Sequence, residues 1–222
     1  MSHVRSLKVW DPFVRAGHWT LVITFFTAYL TGDEFAQLHL WSGYLLGSVI
    51  CVRIAWGFVG PVHARFRDFV RGPRETLTYL GDLFRGRDSR YIGHNPAGGA
   101  MVVAMLLCLT ATVVSGLVLL AVEDNEGPLA GWVAAAPHQR AQGPADEAGA
   151  TRRPSSDQSE HRAAYFWEET HEVLANLTLL LVALHILGVL HASRAHRENL
   201  IRSMITGRKR PSGESDPGAS PT

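Results

Sequence analysis

The sequence predicts an all-α integral membrane protein, a four-helix bundle with both termini on the cytoplasmic side. Four apolar runs lead to this prediction, at residues 13–32, 38–60, 98–122 and 168–192. Each is close to the roughly 20 residues that a membrane-spanning helix needs. The mean hydropathy of only +0.04 arises because polar segments connect these runs. The apolar residues are thus grouped in blocks, as in a protein embedded in a lipid bilayer.

The charge of the connecting segments predicts the orientation of the bundle. Three basic residues flank the start of the first run, seven arginines lie between residues 65 and 90, and six basic residues lie between 194 and 210. Because basic loops stay in the cytoplasm, these segments are predicted to be cytoplasmic. The turn with Asp33 and Glu34 and the segment 123–165 then face the periplasm. The protein is therefore expected to be a multi-pass protein of a bacterial inner membrane.

The remaining segments complete the predicted domain, which covers residues 1–210. The first run contains His18 and no small-residue cleavage site follows it, so we expect it to be retained as a span. Segment 123–165 is rich in Ala, Gly and Pro and is predicted to be an exposed loop. Residues 66–86 have the pattern of an amphipathic helix on the membrane surface, and a packed cytoplasmic linker explains them equally well. Residues 211–222 are predicted to be a disordered tail.

Four histidines lie within the apolar runs, where ionisable side chains are costly and mark function. His18 is near the start of the first run, His39 is at the start of the second, and His171 and His185 are in the fourth. The predicted orientation places His18 and His185 at the cytoplasmic depth and the other two at the periplasmic depth. Fourteen residues separate His171 from His185, which is about 21 Å along one helix face.

Two imidazoles at one depth can ligate a haem iron from both sides and give a six-coordinate iron suited to electron transfer. The depths therefore predict two non-covalent haem b groups, one held by His18 with His185 and one by His39 with His171. The alternative is that each histidine is hydrogen-bonded between helices. His191 lies about 240° around the helix from His185 and is not expected to bind iron. The other histidines are expected to be solvated or hydrogen-bonded in loops: His63, His94, His138, His161 and His196.

Arg53 is a further candidate for binding the cofactor. It lies fourteen residues after His39, on the same face but at the cytoplasmic depth. Its guanidinium is suited to pair with a haem propionate, and the alternative is that it reaches toward the lipid headgroups. Gly43 and Gly47, one and two turns after His39, would let a flat macrocycle approach the backbone. Close helix packing explains these glycines equally well.

Charge and cysteine content exclude other classes of site. The net charge of +1 gives no sign of a nucleic-acid partner, and we expect none. Cys51 and Cys108 lie within apolar runs, and no C-x-x-C-H motif for covalent haem attachment occurs. We therefore interpret both cysteines as small buried apolar side chains.

The segments around the histidines resemble the bacterial cytochrome b561 superfamily, which includes the b-type subunits of membrane hydrogenases. The matching segments are "VWDPFVRAGHW", "LHLWSGYLLG", "RIAWGFVGPVHARFRDFVRGP", "GHNPAGG", "THEVLANLTLLLVALH" and "RENLIRSMITGRK". They cover nearly the whole chain except the outer loop, whose insert at about 133–163 departs from the family, and the tail. The resemblance implies the same ligand pairs, quinone or quinol as one redox partner, and a c-type cytochrome or other redox protein as the second.

The predicted function is electron transfer through two haems between the quinone pool and a partner such as a periplasmic c-type cytochrome. The alternatives are a membrane-anchor cytochrome of a hydrogenase or dehydrogenase, a stand-alone superoxide or quinone oxidoreductase, and a non-redox scaffold. Glu168, Glu169 and Glu172, or Asp33 and Glu34, are candidates for proton transfer at a quinone site, with solvated surface charge as the alternative. The sequence leaves open whether the protein is an enzyme and whether it forms a homodimer.

Overall fold

The computed structural model describes residues 7–8, 11–32, 34–61, 64–84, 96–132, 154–195 and 199–209. Over these residues the protein is helical except for one antiparallel pair of two-residue strands, which the all-α prediction did not include. The elements are β1 (Leu7–Lys8), α1 (Pro12–Thr31), α2 (Ala36–Val59), α3 (Phe66–Phe69), α4 (Pro73–Phe84), α5 (Pro96–Glu123), α6 (Pro154–Ala195), α7 (Leu200–Thr206) and β2 (Arg208–Lys209). The chain divides into two compact units, 1–106 with 180–222, and 107–179.

Three helices in the described part of the chain are long and apolar enough to cross a membrane. They are Ala36–Val59, Pro96–Glu123 and, within α6, His161–Arg194. These agree with the second, third and fourth predicted runs. Helix α1 covers the first run but is less hydropathic, because Arg15 and His18 lie in its first half. Large apolar side chains are exposed on α2, as expected of a surface that faces lipid: Leu38, Trp41, Leu45, Val52 and Phe58.

Helix α6 begins at Pro154, well before residue 168, where the apolar run starts. Residues 154–165 were expected to be loop and are helical instead. Proline is favoured in the first turn of a helix because its missing N–H has no intrahelical partner there. The polar residues that follow lack the apolar stripe by which a helix is recognised from sequence. Residues 133–153 of the predicted loop and the tail 211–222 lie outside the described residues.

Helices α1 and α2 form an antiparallel hairpin in the first unit. At one end, the Asp11 carboxylate caps α1 by accepting from the Phe13 N–H at 3.1 Å, and it accepts from the Trp56 indole N–H at 3.0 Å. The Phe13 and Trp56 ring centroids are 4.4 Å apart. At the other end, Nδ1 of His39 lies 2.9 Å from the Ala28 carbonyl oxygen. The two helices are therefore joined at both ends by polar contacts as well as by apolar packing.

The segments before α1 and after α6 are joined directly. Strand β1 pairs with β2, with Leu7 opposite Lys209. The Arg15 side chain donates from Nε to the Met204 carbonyl at 3.0 Å and from Nη2 to the Ile205 carbonyl. A cation at a helix C-terminus is stabilised by the helix dipole and supplies donors for its last carbonyls. The residues that flank the first and last long helices thus lie together in the first unit.

The segment that contains α3 packs against two glycines. A Cβ on Gly57 would lie 2.1 Å from a Phe66 ring carbon, and one on Gly99 would lie 2.5 Å from the Phe69 carbonyl oxygen. The Phe69 side chain is buried. The segment predicted as an amphipathic helix is therefore helical in α3 and α4, and α3 packs closely against α2 and the start of α5.

Candidate haem-binding site

His18 on α1 and His185 on α6 are neighbours in the first unit. Their ring centroids lie 6.5 Å apart, and the ring planes are inclined by 53°. Both side chains are half-buried. Nδ1 of His18 is buried and has no hydrogen-bond partner in the described part of the chain. The Trp19 ring stands edge-on to the His18 ring, with centroids 5.3 Å apart.

The spacing of these rings fits an iron held between them. An imidazole nitrogen binds a first-row metal at about 2.0 Å, and the ring centre lies about 1.1 Å beyond, so opposite ligands have ring centres about 6.3 Å apart. The observed 6.5 Å agrees with this value. Nδ1 of His18 is a buried nitrogen without a partner among the described residues, which is costly, so a further polar group beside this ring would be stabilising.

The surroundings favour haem over a bare metal ion. The described ranges contain no group of three or more His, Cys, Asp or Glu side chains that is placed to hold a metal ion. Haem iron takes four of its ligands from the porphyrin and needs only two from the protein. The spacing of His18 and His185 therefore fits a haem, which these two side chains would hold.

His171 lies in the second unit, in a recess of α5. Its Nδ1 is 2.9 Å from the Thr112 carbonyl oxygen and 3.1 Å from the Ser115 hydroxyl oxygen. A Cβ on Gly116 would lie 2.9 Å from Cε1 of the imidazole, so the ring occupies space that only glycine leaves. Because a carbonyl oxygen only accepts, Nδ1 carries the proton and the lone pair of the neutral ring is on Nε2. The neighbours of the ring therefore set the tautomer in which Nε2 can ligate a metal.

His39 has the same kind of orienting contact in the first unit. Its Nδ1 donates to the Ala28 carbonyl at 2.9 Å, which again places the lone pair on Nε2. A hydrogen bond from one ring nitrogen to a backbone carbonyl is common in metal-ligating histidines. One turn later, a Cβ on Gly43 would meet no described atom within 4 Å. The space beside Gly43 is therefore open among the described residues.

Comparison with known proteins gives the family. The sequence model of the family described as prokaryotic cytochrome b561 matches residues 9–207, which include all four histidines. The chain belongs to the prokaryotic cytochrome b561 family. One curated relative of the chain is the "Probable Ni/Fe-hydrogenase B-type cytochrome subunit" of Rhizobium leguminosarum bv. viciae. It is 28% identical over an alignment of 161 residues that covers 58% of this chain and 67% of the relative. No solved structure matches.

The family match confirms the resemblance seen in the sequence. The chain is a membrane b-type cytochrome of electron transfer, and its family implies that it binds haem b. The cofactor supplies a one-electron redox couple when it is bound. The histidines in its helices are the side chains that would hold the group, and their hydrogen-bonding neighbours would orient them.

Arg53 is buried in this cytochrome. Its side chain is 9% exposed, Nη1 lies 3.5 Å from the Ala64 carbonyl, and the guanidinium carbon is 5.4 Å from the centroid of the Phe66 ring. No carboxylate among the described residues lies within 4.0 Å of its nitrogens. The burial disfavours the alternative in which Arg53 extends to the headgroups, and a buried cation requires a counter-charge or strong hydrogen bonds.

The remaining candidate residues of the cytochrome are peripheral or fall outside the described ranges. His191 and His161 are exposed, as are Glu34, Glu168, Glu169 and Glu172. Both cysteines are free, with Cys108 buried and Cys51 exposed, so the prediction of a buried side chain is wrong for Cys51. Five candidate residues lie outside the described ranges: Asp33, His63, His94, His138 and His196.

Sequence reasoning did not find the recess around His171. Thr112, Ser115 and Gly116 lie within the third apolar run, where small and hydroxyl-bearing residues usually indicate close helix packing. Their spacing of three and one residues places them on one side of α5. This pattern indicates a recess for an imidazole only once His171 is known to lie beside it.

Proposed function

We propose that this cytochrome binds two haem b groups and transfers electrons across the bacterial inner membrane. Its partners would be the quinone pool and a redox protein such as a periplasmic c-type cytochrome. The 6.5 Å spacing of the His18 and His185 rings carries the proposal, because it matches axial ligation of one iron by both. Membership of the cytochrome b561 family supports electron transfer as the role.

The second haem is proposed to be ligated by His39 and His171. Each of these rings donates from Nδ1 to a backbone carbonyl, that of Ala28 or Thr112, and each therefore has its lone pair on Nε2. Such contacts hold an imidazole ready to bind a metal. Fourteen residues separate His171 from His185 on one continuous helix, and both can therefore serve haems at different depths of the membrane.

The topology is proposed to be four spans with both termini in the cytoplasm. Pairing of β1 with β2 supports an even number of crossings, because it joins segments before α1 and after α6. The basic residues at 194–210 favour the cytoplasm for these segments. His18 and His185 would then hold the cytoplasmic-side haem, and His39 and His171 the periplasmic-side haem.

Arg53 is proposed to pair with a propionate of the cytoplasmic-side haem. Its guanidinium is buried against Ala64 and Phe66, without a carboxylate within 4.0 Å among the described residues. A propionate would supply the missing counter-charge in a bidentate geometry suited to arginine. Arg53→Lys should keep part of this pairing, and Arg53→Leu should lose it. Because leucine is neutral, Arg53→Leu removes a positive charge near the iron and should lower the midpoint potential of the cytoplasmic-side haem.

The decisive experiment combines haem quantification with ligand substitution. The detergent-purified protein should contain about two b-type haems per chain by pyridine haemochrome assay, with low-spin reduced bands. His18→Ala and His185→Ala should each remove the same haem, identified by its midpoint potential, and His39→Ala and His171→Ala should each remove the other. His191→Ala is the matched control and should retain both. Retention of two haems in all four variants would refute the ligand assignment.

A second candidate function is the membrane-anchor cytochrome of a larger enzyme. The name of the relative, a probable hydrogenase cytochrome subunit, favours this candidate. Affinity purification from native membranes with a mild detergent distinguishes the two. A stoichiometric large iron-sulfur partner would support the anchor role, whereas quinol-driven haem reduction by the isolated protein would support direct exchange with the quinone pool. Turnover of superoxide or quinone by the isolated protein would instead support a stand-alone oxidoreductase.

A further inference from the structure

A buried group of polar side chains lies beside His171 in the second unit. Thr112, Ser115 and Thr178 are at most 6% exposed, although they lie in helices that are otherwise apolar. The Thr178 hydroxyl is 3.2 Å from both the Thr112 hydroxyl and the Cys108 sulfur. Buried hydroxyl groups are tolerated when they are hydrogen-bonded. The hydroxyl of Ser115 contacts the imidazole of His171.

The hydrogen-bond directions around His171 follow from the chemistry of the groups. The Thr112 carbonyl accepts from Nδ1 of His171 at 2.9 Å and from the Ser115 hydroxyl at 2.8 Å. Since the Ser115 proton points to that carbonyl, its oxygen presents a lone pair to Nδ1 at 3.1 Å. The N–H of His171 is therefore shared between two acceptors, and Gly116 provides the space that brings them close.

We propose that Ser115 is a positioning residue that lowers the midpoint potential of the haem ligated by His171. This inference rests on the proposed function. A second acceptor at Nδ1 increases the electron donation of the imidazole through Nε2, as partners of metal-bound histidines do. Stronger donation stabilises ferric iron relative to ferrous iron, which corresponds to a lower potential. Ser115 thereby helps to set the difference in potential between the two haems.

The test is a potentiometric titration of Ser115→Ala in purified protein. One haem should become easier to reduce, because its redox equilibrium constant changes about threefold to tenfold. For a one-electron couple, this change raises its midpoint potential by about 30–59 mV. The other haem should keep its potential. Repeating the substitution in a His18→Ala background, where only the haem of His39 and His171 is expected, assigns the shift. Ser115→Thr keeps the hydroxyl and should restore most of the lower potential.

Thr112→Val is the matched control. It removes a buried hydroxyl from the same group, one that contacts Cys108 and Thr178, but it keeps the carbonyl that accepts from His171. We expect no shift of either potential. An equal upward shift in Thr112→Val and Ser115→Ala would mean that general polarity is responsible, and it would overturn the role of Ser115.

Gly116→Ala tests the recess with a spectroscopic measurement. The new Cβ would lie 2.9 Å from Cε1 and 3.1 Å from Nδ1 of His171, so the ring must move. We expect altered low-spin electron paramagnetic resonance signals, or partial loss, of one haem only. Gly131→Ala is the control, because its Cβ would meet no described atom within 4 Å. An unchanged spectrum in Gly116→Ala would contradict the recess.

His171→Ala separates this inference from the proposed function. If that variant keeps both haems, His171 is not a ligand, and both the ligand assignment and the role of Ser115 are refuted. If it loses one haem while Ser115→Ala leaves both potentials unchanged, the proposed function stands and only the inference about Ser115 is refuted.

Discussion

Gly57→Ala provides a quantitative test of the packing between α2 and α3. The added Cβ would lie 2.1 Å from one ring carbon of Phe66 and 2.6 Å from two others, whereas ordinary van der Waals contact begins at 3.4 Å. The ring must therefore move, and overpacking of a well-packed core costs about 1–3 kcal/mol. Three overlapping carbons favour the upper end of that range. Alanine gains about 1 kcal/mol over glycine in a helix, so we expect a net loss of about 2 kcal/mol.

The assay is thermal unfolding of the detergent-solubilised protein, followed by circular dichroism at one heating rate. Gly81→Ala in α4 is the control, because its Cβ would meet no described atom within 4 Å. That substitution should stabilise the protein by up to about 1 kcal/mol. The two glycine substitutions should therefore shift the melting temperature in opposite directions.

A double-mutant cycle identifies the group responsible. In a Phe66→Ala background the ring is missing, and Gly57→Ala should cost nothing or become favourable. The coupling between the two sites should be about 2–3 kcal/mol, near the top of the range for residues in contact. Stabilisation by Gly57→Ala in the unmodified background, or an undiminished penalty in the Phe66→Ala background, would refute the described packing.

Three further predictions concern the first unit. Asp11→Ala should lower the unfolding free energy by about 1–3 kcal/mol, because it removes both the cap of α1 and the acceptor for Trp56, whereas Asp11→Asn should cost less in the same thermal assay. Gly99→Ala should destabilise at least as much as Gly57→Ala, because its Cβ would lie 2.5 Å from the backbone oxygen of Phe69, which cannot rotate away; equal stability to wild type would contradict this. Arg15→Gln should increase hydrogen exchange in α7, whose last carbonyls lose their donors, and unchanged exchange there would exclude the contact.

The sequence was sufficient to predict the long helices but not the contacts that arrange them. Hydropathy located the second span at 38–60, and the structure has Ala36–Val59, because the lipid environment imposes a local requirement on each helix. The contact of Asp11 with Trp56 joins residues 45 positions apart, and no local pattern specifies such a pair. The start of α6 was missed for a different reason, since its first turns are polar and carry no helical apolar stripe.

The candidate ligands were identifiable because a histidine within an apolar run is conspicuous. The residues that orient these ligands were not identifiable, because two of the contacts are made by the backbone carbonyls of Ala28 and Thr112. Every residue has such a carbonyl, so the sequence does not mark it. Which carbonyl lies beside a ring depends on the rotation of each helix about its axis. That rotation is determined by tertiary packing rather than by local sequence.

The pairing of β1 with β2 has a consequence for biosynthesis. The backbone groups of residues 7–8 can pair only after residues 208–209 have been synthesised. The Arg15 side chain can donate to the carbonyls at the end of α7 only after α7 has been made. Helix α1 can pack against α2 early, but these contacts with the end of the chain form only when nearly the whole chain has left the ribosome. His18 likewise meets His185 only after α6 has been made. If haem is held between these two histidines as proposed, both ligands become available together only near the end of synthesis.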